Sequence, residues 1–76
     1  MMLRTRAMRM TSRRLMSLEA ELKPLLAKAI KGAASDKEAQ RIQTIFALCR
    51  QANKLEQYRA WRAQVKENVA EDATQH

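Results

Sequence analysis

Glycine and proline are nearly missing from this 76-residue chain, which has one of each, Gly32 and Pro24. Tight strand connections depend on residues that accept positive φ, so their scarcity argues against a sheet and for helices. Aromatic residues are equally sparse, with only Phe46, Tyr58 and Trp61. Strands are usually richer in them. The single cysteine, Cys49, has no partner for an intrachain disulfide, and the single histidine is His76. One cysteine and one distant histidine supply neither a metal ligand set nor a nucleophile with its base. No glycine-rich phosphate loop is present, since Gly32 stands alone. Neighbouring carboxylates occur as Glu19 with Glu21 and Glu71 with Asp72, and neither pair shares a helical face. General acid–base chemistry therefore has no candidate. The sequence nominates no catalytic residue, no metal ligand and no cofactor, so a non-enzymatic protein is expected.

Long apolar runs are absent as well. Nothing approaches the ~20 apolar residues of a membrane span. Arginines interrupt every candidate secretory core near the N-terminus. No zinc-finger, basic-zipper or RNA-recognition signature appears, and a helix-turn-helix does not fit two long helices.

What is present is helical periodicity. Leu15, Leu18, Leu22, Leu25 and Ala29 alternate spacings of three and four, with Leu26 and Ile30 widening the stripe. They predict a helix over about 12–31, with a kink at Pro24, which lies on its polar side. The same spacing reaches back to Thr11 and Met8, which allows a helical extension into the arm. Gly32 suits the left-handed residue that ends a helix. Ser35-Asp36-Lys37-Glu38 matches a capping box and opens a second helix. No Gly or Pro follows it, so the backbone chemistry carries that helix from 35 to about 70, roughly 50 Å. A connection this short makes the two helices antiparallel neighbours. Residues 71–76 read as a flexible tail.

The fold expected is all-α: a two-helix antiparallel hairpin over 12–70, preceded by a basic arm at 1–11. Leu18, Leu22, Leu25, Leu26 and Ile30 would face Ile42, Ile45, Phe46, Leu48 and Cys49. A lone hairpin has a thin core, so two copies are expected to pair as a four-helix bundle.

The long second helix carries an anomaly. Ile42, Ile45, Phe46, Leu48, Cys49, Ala52 and Leu55 share one face, whereas Tyr58, Trp61, Val65 and Val69 form a stripe roughly opposite. Either the later stripe packs against another part of the chain or a second copy, or it is an exposed docking face. Asn53, near the edge of the first face, reads as a solvated residue or a half-buried one fixing register.

The net charge is +7, of which +5 falls within residues 1–18 as Arg4, Arg6, Arg9, Arg13 and Arg14 with no acid. Clustered cations with few acids attract polyanions. The function expected is a small regulatory protein contacting nucleic acid, or a complex that handles it, through a basic end. Those five arginines with Arg50, Lys54, Arg59 and Arg62 would meet phosphates, and Tyr58 and Trp61 would stack or fill a pocket. The rival is a protein–protein adaptor or inhibitor docking through Tyr58, Trp61, Val65 and Val69. The lone cysteine favours the cytoplasm, while the arginine-rich, acid-free N-terminus also suits mitochondrial targeting.

Overall fold

The computed structural model describes residues 10–74. Among them are three helices and no strand: α1 (Ser12–Ile30), α2 (Asp36–Gln51) and α3 (Leu55–Thr74). The all-α class is as expected, but the two-helix hairpin is not what forms. The helix expected over 35–70 stops at Gln51, and a new one starts at Leu55. Residues 71–74, expected in the tail, belong to α3.

α1 begins sharply. Thr11 is extended, with ψ 159°, and its hydroxyl accepts the backbone N–H of Arg14 at 3.1 Å. This cap starts the helix at Ser12, with Met10 and Thr11 before it, and the helical extension allowed from Met8 falls on residues that lie outside the described ones. The arm's Arg4, Arg6 and Arg9 lie outside the described residues. α1 continues unbroken through the exposed Pro24. Proline removes the N–H that would bond the Ala20 carbonyl, and at an exposed position water can take its place.

α1 and α2 end by one device. After α1, the N–H of Ala33 donates to the Lys28 carbonyl at 2.8 Å and that of Gly32 to Ala29 at 3.0 Å. After α2, the N–H of Lys54 donates to Cys49 at 2.7 Å and that of Asn53 to Arg50 at 3.2 Å. Both are Schellman closures with a left-handed residue in fifth place: Gly32 at φ 74° and Asn53 at φ 59°. Asn53 is exposed and acts through its backbone, as the hinge between two helices.

α2 opens on the capping box. The Ser35 hydroxyl accepts from the Glu38 N–H at 3.2 Å, and the Ser35 N–H donates to Glu38 Oε1 at 2.9 Å. Lys28 reaches the other oxygen of Glu38 at 2.7 Å, and Arg41 pairs in two-pronged fashion with Glu21. Later residues of α1 thus meet earlier residues of α2, so these helices run in opposite senses. The chain reverses again after Asn53. The rings of Phe46 and Tyr58 meet edge to face with centroids 5.1 Å apart, whereas twelve residues of continuous helix would separate them by about 18 Å.

Each helix packs on both others, and the α1–α3 interface is the most extensive. The core is Leu18, Leu22 and Leu26 from α1, Ile45 and Cys49 from α2, and Tyr58, Trp61 and Val65 from α3. Leu25, Ile42, Phe46 and Leu48 are partly buried against it, while Ile30, expected in the core, is 45% exposed. The phase jump between the two stripes is hereby explained: they belong to two helices, each turning its stripe to one core.

Candidate basic surface and interhelical cleft

The helix senses set where the charges go. α1 starts at the end of the bundle where α2 finishes. Arg13 and Arg14 in the first turn of α1, Arg50 in the last turn of α2 and Lys54 in the connection therefore belong to one end. Arg59 follows on the second turn of α3. Arg13, Arg14, Arg50 and Arg59 are exposed and Lys54 is half-buried. None of them makes an ion pair among the described residues. Glu56 is the one acid in the first two turns of α3. The N-termini of α1 and α3 also point this way and add positive partial charge. α1 has no acid in its first turn to offset it.

The rest of the molecule is more balanced. Lys23 pairs with Glu19 at 2.9 Å and donates to Gln64 Oε1 at 2.7 Å, tying α1 to α3. Glu21 is held below the usual carboxylate range, first by its hydrogen bond to Arg41, and burial opposes this weakly. Glu38 is held low chiefly by Lys28, then by the Ser35 N–H. The acids of the second half of α3 (Glu67, Glu71 and Asp72) lie away from the basic end, because α3 leaves it.

Arg62 and Lys66 continue from Arg59 at spacings of three and four, making one exposed stripe beside the buried one on α3. Arg62 lies on a cleft of about 430 Å³ lined also by Leu26, Ala29, Ala39, Ile42, Gln43, Phe46 and Tyr58. Burial pushes the Tyr58 hydroxyl above its ordinary range, and the nearby Arg62 guanidinium pulls it back.

The two aromatics nominated for stacking are placed otherwise. Trp61 is 2% exposed and Tyr58 4%, both inside the three-helix core. Their rings offer no open face to a base. Val65 is buried and Val69 partly so, so the stripe proposed for docking is occupied by the chain itself. Arg62, by contrast, lines a cleft the spacing did not show, because that cleft requires α3 to fold back. The signal for that fold was in the sequence, as the phase jump around Asn53.

Cys49 is fully buried, and burial raises its thiol above the ordinary range, away from the reactive thiolate. Among the described residues no group of three or more His, Cys, Asp or Glu side chains is placed to hold a metal ion. No helix there is long and apolar enough to cross a membrane. Comparison with family models, with curated proteins and with solved structures finds no match to this chain.

Proposed function

We propose that this chain is a small, non-enzymatic binding protein that contacts nucleic acid, or a nucleic-acid-bearing complex, through the basic end of its three-helix bundle. The observation that carries the reading is the gathering of Arg13, Arg14, Arg50, Lys54 and Arg59 at one end without acid partners among the described residues, while Lys23, Lys28 and Arg41 are paired elsewhere. Unpaired exposed cations repel one another, and a polyanion relieves that repulsion. The arm arginines Arg4, Arg6 and Arg9 precede this end in the chain and lie outside the described residues. Phosphate contact by these side chains carries no base reading, so the binding is broad in sequence and steep in salt.

The three helices also lift one objection to groove binding. α2 and α3 are joined by three residues around a left-handed Asn53, a connection of the length found in helix-turn-helix pairs. α3 would then present Arg59, Arg62 and Lys66 to a phosphate backbone. The adaptor reading is less well supported, because its stripe is core.

A homodimer belongs to this proposal too. Among the described residues, Met16 at 67% and Ile30 at 45% are the large apolar side chains left exposed, and both lie on α1. Action in the cytoplasm, or in mitochondria if the arm targets it, goes with the same reading.

The test is duplex binding across a salt series. Affinity should fall linearly on logarithmic axes, and each phosphate-contacting cation removed should reduce the slope by about one. Arg13→Gln with Arg14→Gln should flatten it by about two. Salt-independent binding, or an unchanged slope in that variant, would refute the proposal.

A further inference from the structure

The cleft between the helices shares only Arg62 with the basic-end reading, and it has its own chemistry. Its floor is apolar, from Leu26, Ala29, Ala39, Ile42 and Phe46, with the Tyr58 ring closing one side. Polar groups enter it at only two side chains besides the Tyr58 hydroxyl, namely Gln43 and Arg62. At about 430 Å³ it falls in the size range of small-molecule sites. Ala29 of α1 and Ala39 of α2 both line it, and their small side chains take up little of its space. Arg62 makes no ion pair among the described residues. No carboxylate of this chain lines the cleft.

An apolar trough with one unneutralised guanidinium suits a ligand with a hydrocarbon body and one anionic head. A planar guanidinium takes a carboxylate through two parallel hydrogen bonds, and Gln43 can donate a third. The ion-paired cleft on the other side of α1, lined by Glu21, Pro24, Leu25, Lys28, Lys37, Glu38 and Arg41, lacks this character, because carboxylates already occupy Lys28 and Arg41.

We infer that the cleft binds a medium-chain carboxylic acid, with the acyl chain along Leu26, Ile42 and Phe46 and the carboxylate on Arg62. The inference stands on the cleft alone and not on nucleic-acid binding. The probe is decanoate, used below its micellar range against the full chain in equilibrium dialysis, with decanol as the uncharged control. One decanoate should bind per chain, about fivefold more tightly than decanol. Arg62→Gln should erase that preference while keeping decanol binding. Ala39→Leu and Ala29→Leu, at exposed helical positions, should each block both ligands with unchanged helicity by circular dichroism. Absence of decanoate binding would overturn the inference. So would equal affinity for decanol, or undiminished binding in both alanine variants.

Discussion

The two helix connections of this protein are nearly the same structure built from different residues. Lys31–Ser35 and Ala52–Lys54 both begin with a Schellman closure around a left-handed residue, with matching hydrogen bonds. The first uses Gly32 and leads to a capping box, so its chemistry is written in residue types. The second uses Asn53 and leads to Leu55 through Lys54, whose side chain has no acceptor to cap a helix, and the Lys54 carbonyl, accepting from Tyr58 at 3.1 Å, marks the new start. A helix can thus be ended by an asparagine whose local signal is weak, provided tertiary packing rewards the reversal. Here the reward is the burial of Tyr58, Trp61 and Val65.

The largest expected effect tests that reward. Trp61→Ala should destabilise the protein by about 3–5 kcal/mol, the range for a large aromatic in a core. A Trp61 overhanging a two-helix hairpin would cost well under ~1 kcal/mol. Denaturant titration distinguishes them. Trp61 Nε1 is buried without a hydrogen-bond partner, so Trp61→Phe removes an unsatisfied donor along with volume. Its cost should be only about 1–2 kcal/mol, since an orphaned buried N–H is itself unfavourable.

Next come the two left-handed residues. A Cβ at Gly32 would meet nothing within 4 Å, so Gly32→Ala is a pure backbone test. It should cost about 1–2 kcal/mol. Asn53→Ala should cost less, about 0.5–1 kcal/mol, because asparagine already tolerates only part of the left-handed penalty. Asn53→Gly should be neutral or stabilise by a few tenths of a kcal/mol. A stabilising Asn53→Ala in thermal melts would mean that the helix prefers to run on.

The caps make a smaller contrast. Ser35→Ala removes the hydroxyl that accepts from the Glu38 N–H but keeps the Ser35 N–H that donates to Glu38 Oε1, so it should cost about 1 kcal/mol, much as Thr11→Ala does by losing its own single bond. A loss at Ser35 well above that at Thr11 would show that the Glu38 arm depends on the hydroxyl.

The smallest effect is acid sensitivity. Glu21 and Glu38 have folded-state values lowered by Arg41 and by Lys28. Groups lowered in this way stabilise fully above their unfolded values, near pH 4, and lose that contribution as pH falls further. Both pairs join α1 to α2. Between pH 5 and pH 3 the amide of Ala33 should therefore lose more exchange protection, relative to its intrinsic rate, than that of Lys54. Equal loss at both would argue against local ion-pair support.

Much of this fold was legible. The leucine stripe, Gly32, the Ser35 box and the buried character of Cys49 followed from spacing and residue type. The break at Asn53 was visible only as a phase jump, because no Gly, Pro or strong cap marked it. Reading that jump as one helix with two faces left Tyr58 and Trp61 either packed against another part of the chain or exposed for docking, and their burial in the chain's own core agrees with the first. The basic residues were legible as a set, but their gathering at one end was not, since it depends on the sense of each helix. The cleft beside Arg62 was invisible for the same reason.

The most direct test of the three-helix fold uses the only phenylalanine and the only tyrosine in the chain. Their ring centroids lie 5.1 Å apart when α3 folds back, against about 18 Å in an uninterrupted helix. A ring-to-ring nuclear Overhauser effect between Phe46 and Tyr58 is expected. In a sample mixing isotope-labelled and unlabelled chains, it should appear within a chain and not between chains. Its absence, or its appearance only between chains, would contradict the fold on which the basic end and the cleft both depend.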